Sequence, residues 1–177
     1  MMRALVVALL AATPALAANV IYIDQVGDNN HISIKQNDGD NKSAIVLNQG
    51  DGNEQNIAQR GPGLDQAFIG TPPVGMLQGQ FLPNTSTATN NNNLLSIVQM
   101  GTGNHTAAIN LDSMVSNNNN TASILQSGDA NKSFTLQLSG SGIGATVVQD
   151  NPTVADSASM SIQCLSPPCT GYSYVKH

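Results

Sequence analysis

Residues 94–104 read Leu94-Leu95-Ser96-Ile97-Val98-Gln99-Met100-Gly101-Thr102-Gly103-Asn104, and residues 121–131 read Thr121-Ala122-Ser123-Ile124-Leu125-Gln126-Ser127-Gly128-Asp129-Ala130-Asn131. Each is a short alternating apolar run that ends in the hexapeptide Gln-x-Gly-x-x-Asn, which also stands at Gln25 to Asn30. With 13 Gln, 16 Gly and 21 Asn in 177 residues, random order would give about a tenth of one such match. Three matches in similar contexts mark a repeat protein.

Aligning the chain on the glutamine gives the register Gln25, Gln36, Asn48, Gln59, then, after an interruption, Gln99, Asn110, Gln126, Gln137 and Gln149. Most steps are 11 or 12 residues, so two steps make a unit of 22 to 23. A second correspondence, offset by 27, carries Asn93, Ser96, Ile97, Gln99, Gly101 and Asn104 onto Asn120, Ser123, Ile124, Gln126, Gly128 and Asn131. Within each arm the pattern has period two, the mark of a β-strand. Examples are Ile32-x-Ile34-x-Gln36, Ala44-x-Val46-x-Asn48, Gln55-x-Ile57-x-Gln59 and Leu95-x-Ile97-x-Gln99. Extending the motif's parity places Asn104, Thr106, Ala108 and Asn110 on one face, and likewise Asn131, Ser133, Thr135 and Gln137. Between the arms, Val26-Gly27-Asp28-Asn29, Gln49-Gly50-Asp51-Gly52 and Ser127-Gly128-Asp129-Ala130 are turn sequences, with Gly27, Gly50, Gly101 and Gly128 available where φ must be positive.

Strand-turn-strand units of this length predict an all-β fold, a two-layer β-solenoid whose strands stack about 4.7–4.9 Å apart. The expected interior carries amides at Gln25, Asn30, Gln36, Asn48, Asn53, Gln59, Gln99, Asn104, Asn110, Gln126, Asn131, Gln137 and Gln149. An unpartnered buried amide costs about 2–7 kcal/mol. Identical amides one level apart remove that cost by donating and accepting along a ladder, as in cross-β structures.

Residues 1–17 have the charged start, apolar run and small-residue site of a secretory signal peptide, which predicts export. Repeat blocks are expected at 18–64 and 94–151. Between them, 65–93 reads as a Pro/Gly/Asn-rich insertion or loop, with Gly61-Pro62-Gly63 at its approach and Pro72-Pro73 and Pro83 inside it. The asparagine runs Asn90 to Asn93 and Asn117 to Asn120 read as long turns or spacers. Residues 152–177 read as a tail, in which Cys164 and Cys169 form a local disulfide, as suits an exported chain.

The composition excludes several functions. A net charge of −5 argues against nucleic acid, which needs a basic face. No run approaches the roughly 20 apolar residues of a transmembrane helix. His31, His105 and His177 lie far apart, the first two expected in solvent beside turns, and neither a calcium loop nor any other metal or cofactor site is indicated. No nucleophile with a base, and no paired carboxylates on a strand face, supports catalysis.

The spacing resembles the curlin repeat, Ser-x5-Gln-x-Gly-x-x-Asn-x5-Gln, of bacterial curli amyloid fibres. Asn30 with Gln36, Asn53 with Gln59, and Asn131 with Gln137 keep its second half, while Ser96 and Ser123 fall three residues before the glutamine. The resemblance implies a secreted, cell-surface fibre subunit, major, minor or nucleating, that adds rung on rung and serves adhesion and biofilm matrix. Its implied partners are copies of itself, other curlin-type subunits and the outer-membrane secretion machinery. The alternative from another class is a monomeric extracellular β-solenoid that binds a polysaccharide or surface.

Overall fold

The structure, a computed structural model, describes residues 19–37, 42–71 and 88–177. The expected signal peptide, and Pro72, Pro73 and Pro83, lie outside the described residues. The strands are β1 (Val20–Val26), β2 (His31–Asn37), β3 (Ser43–Gln49), β4 (Glu54–Arg60), β5 (Gln66–Gly70), β6 (Asn90–Asn91) and β7 (Leu94–Met100). They continue as β8 (His105–Leu111), β9 (Asn117–Asn118), β10 (Thr121–Ser127), β11 (Lys132–Ser139), β12 (Ile143–Gln149), β13 (Asp156–Gln163) and β14 (Cys169–Lys176). Among the described residues there is no helix, so none is long and apolar enough to cross a membrane.

Two six-stranded parallel sheets face each other. Sheet A has the order β1-β3-β5-β8-β11-β13, sheet B the order β2-β4-β7-β10-β12-β14, and β6-β9 forms a short third side. Each coil lays one strand in A, makes a first turn, lays one strand in B, and returns by a second turn. This is a β-solenoid winding about five times from β1 to β13.

Registers put like residues on like. Ile23, Val46, Ile69, Ile109, Leu136 and Met160 form one column in sheet A. Ile34, Ile57, Ile97, Ile124, Val147 and Tyr174 form another in sheet B. Both belong to one thin seam between the sheets, buried in the middle coils. Phe134 fits into this seam because its column neighbours are Ala107 and Ala158, and its ring meets Tyr174 at a 5.0 Å centroid distance.

Two sequence boundaries move. The interruption starts later than residue 65, because β5 pairs with β3 and β8 as a regular member of sheet A. The tail is a sixth coil: β13 pairs with β11, β14 with β12, and Cys164 and Cys169 are disulfide-bonded across the turn between them. The 27-residue spacing is a 23-residue coil enlarged by an exposed bulge around Met114, between β8 and β9.

Candidate functional site

The sheet B strands β2, β4, β7, β10 and β12 each place a glutamine at the mouth of the second turn. Period-two packing turns it inward beside the isoleucine column. Gln36 Nε2 donates to Gln59 Oε1 at 2.8 Å, Gln59 to Gln99 at 2.9 Å, Gln99 to Gln126 at 2.9 Å and Gln126 to Gln149 at 2.8 Å. The second hydrogen of Gln59, Gln99 and Gln126 goes to the carbonyl of Ser43, Gln66 and Thr106, each at 3.0 Å. Those carbonyls lie at the starts of β3, β5 and β8, the sheet A strands of the same coils, Ser43 and Gln66 being the first residues of theirs and Thr106 the second. The last four glutamines are fully buried, so the column provides the partners their burial demands.

Asparagines form a second column at the opposite edge, just after the first turn. Asn30 Oδ1 accepts Asn53 Nδ2 at 2.9 Å, Asn53 Oδ1 accepts Asn93 Nδ2 at 2.9 Å, and Asn93 Oδ1 accepts the Asn120 backbone N–H at 3.0 Å. Asn48 joins at the corner, donating to Asn30 Oδ1 at 3.1 Å. A third, outer column runs along the turn: the N–H groups of Asp28, Asp51, Asn91 and Asn118 donate to the side chains of Asp51, Asn91, Asn118 and Ser141. The asparagine runs 90–93 and 117–120 are therefore the turn itself rather than spacers. Each supplies one residue to each of four stacked positions, with Asn92 and Asn119 in the left-handed conformation that Asn29 and Gly52 adopt in the first two coils.

Other predicted positions fall differently. Gln25 pairs in register with Asn48, but this sheet A position then passes to Leu111, Leu138 and Ile162. Asn110 and Gln137 lie on the outer face of sheet A, where β8 and β11 bury His105, Ala107, Ile109 and Leu111, and Lys132, Phe134, Leu136 and Leu138. Asn104 and Asn131 sit exposed in the second turn, accepting the N–H of Leu64 and of Asn104. The inversion has a local cause. The first turn contains a left-handed residue and carries the inward set from Asn48 to Asn53, whereas the second needs one residue more, from Gln59 to Asp65 or from Gln99 to His105.

Gly27 and Gly50 lie in the first turn, Gly101 and Gly128 in the second, all at positive φ. A Cβ on Gly101 would run into the Gly128 carbonyl oxygen, and one on Gly61, a position the motif did not single out, into that of Gly101. The turns stack only because these residues lack side chains.

A column of Lys, Asp and His side chains, buried at its first four levels, was not foreseen. In successive coils Lys42, Asp65, His105, Lys132 and Asp156 occupy one register position at the start of the sheet A strands. Lys42 Nζ meets Asp65 Oδ2 at 2.8 Å and His105 Nδ1 meets Asp65 Oδ1 at 3.0 Å, all three side chains fully buried. His105, expected in solvent, is thus an interior residue, while His31 is exposed. Lys132 Nζ donates to the carbonyls of Asn151 and Val154, at 2.7 and 3.1 Å. The available signal was spacing: Lys42, Asp65, His105 and Lys132 each lie six residues after a ladder glutamine.

No protein-family model, curated protein or solved structure matches the chain. Its chemistry is read from the columns alone. Among the described residues no cluster of His, Cys, Asp or Glu could hold a metal ion.

One buried amide stands outside every column. Gln55 occupies the position that Ile32 and Leu95 fill in the adjoining coils, and neither its Nε2 nor its Oε1 has a partner among the described residues. Gln55→Leu is expected to raise stability by about 1–3 kcal/mol, seen as a higher urea midpoint at unchanged slope. A lower midpoint would mean that a buried water satisfies the amide.

Proposed function

We propose that this chain is a structural subunit of a curli-type extracellular fibre, exported and joined end to end with copies of itself and with other curlin-type subunits, in support of adhesion and biofilm matrix. The observation that carries this reading is the unbroken hydrogen-bonded run from Gln36 to Gln149. A column that satisfies each amide with the next coil's amide works equally well when the next coil belongs to another molecule. Sheet edges support it too, since among the described residues the strands that end the two sheets, β1 with β2 and β13 with β14, lie at the two ends of the stack. The curlin-like spacing and the export-type N-terminus point the same way.

The test is to age the concentrated, purified protein and follow it with an amyloid dye, sedimentation and fibre diffraction. The expected result is sedimenting, dye-positive material with a meridional reflection near 4.7–4.8 Å. A chain that stays monomeric for days would instead support the monomeric binding module.

A further inference from the structure

Resting on the fibre reading, the geometry points to the sixth coil as a built-in brake: it withholds the amide that the first coil of a second copy would stack on, and Lys176 is the residue that withholds it. In register, Gln149 is followed by Lys176 rather than by a glutamine. The last ladder amide turns aside, Gln149 Nε2 donating to Asp156 Oδ2 at 2.7 Å. Tyr174 closes the same carboxylate with its hydroxyl, at 2.9 and 3.1 Å.

The charge around this closure is locally balanced. Burial pushes the Asp156 carboxyl up, but the hydrogen bonds from Gln149 and Tyr174 and the Lys176 and Lys132 ammonium groups together hold it below the usual carboxylate range. The asparagine column has already stopped, since Asn120 Oδ1 accepts the Ile143 backbone N–H and the residue after Ile143 in that column is Cys169. Whatever precedes or follows, both inner amide columns end before β14 does.

A second copy stacking its β1–β2 coil on β13–β14 would set Gln36 over Lys176. Inside the stack that position is fully buried, as it is at Gln59, Gln99 and Gln126. Docking must therefore desolvate an ammonium where every interior coil buries a neutral amide, and burying a charge costs far more than burying a hydrogen-bonded amide. Addition at this end is slowed by the chain's own sequence.

The experiment is seeded elongation of the full chain, with Lys176→Gln and Lys176→Ala as variants. Lys176 is exposed, so neither change threatens the fold. Lys176→Gln continues the ladder and is expected to speed elongation about tenfold or more, the effect of one to two recovered hydrogen bonds and a relieved charge. Lys176→Ala removes the charge without supplying the amide, and should give a clearly smaller gain. Equal rates for wild type and Lys176→Gln, or equal gains for both variants, would overturn the brake while leaving the fibre reading intact. If no form of the chain polymerises, the fibre reading fails and takes the brake with it.

Discussion

Gln99→Ala should lower the unfolding free energy by about 3–6 kcal/mol, whereas Gln137→Ala should leave it within about 0.5 kcal/mol. The two residues belong to the same sequence register but to opposite faces. Gln99 is fully buried, accepts from Gln59, and donates to Gln126 and to the Gln66 carbonyl. Truncating it leaves a Gln59 Nε2 hydrogen and Gln126 Oε1 without partners inside the stack, each costing about 1–3 kcal/mol, and opens a cavity beside Ile97. Gln137 stands on the exposed outer face of β11. Urea unfolding followed by circular dichroism measures both. Comparable losses at the two positions would mean that the second turn does not invert the parity.

That contrast marks where the sequence was legible. In sheet B the inward set was readable because apolar alternation and the glutamine agree, as in Leu95-x-Ile97-x-Gln99 and Gln55-x-Ile57-x-Gln59. In β8 and β11 two signals disagreed. The hexapeptide's asparagine argued for Asn131, Ser133, Thr135 and Gln137, and the apolar residues for Phe134, Leu136 and Leu138. The structure follows the apolar set, as it must where each large side chain buried stabilises by about 1.5–3 kcal/mol. One motif serves two turns of different length, and nothing in its six letters says which turn it is in. The difference lies in whether a left-handed residue such as Asn29, Gly52 or Gly142 follows the first positive-φ position.

The interruption and the tail were misjudged for a related reason. Gln66-Ala67-Phe68-Ile69 lacks the motif yet alternates correctly, with Ala67 and Ile69 inward. In β13, Ala158, Met160 and Ile162 also alternate with serines, but the strand, like β5, lacks the motif. The strand is fixed by pairing to β11 rather than by its own propensity. In a solenoid each coil borrows its order from the one beneath it.

Asp65→Ala is expected to cost about 3–5 kcal/mol, because it strands an uncompensated charge. Lys42 is fully buried, its Nζ held by the Asp65 carboxylate and, at 3.3 Å, by the Gly63 carbonyl. His105 takes the other Asp65 oxygen. Removing the carboxylate leaves the ammonium with one neutral acceptor and the imidazole Nδ1 without a partner among the described residues. The decisive comparison is a double-mutant cycle. If the loss comes from the abandoned charge, Lys42→Met should rescue Asp65→Ala by at least about 2 kcal/mol, since hydrophobes replace buried ion pairs at little net cost. Additive losses would show that Lys42 and Asp65 contribute separately, and the column would then be a stack of independent polar residues. A large coupling would mean that one coil's Asp and its neighbour's Lys fix which coils can lie next to each other, a pairing rule that neutral amide columns, alike at every level, cannot supply.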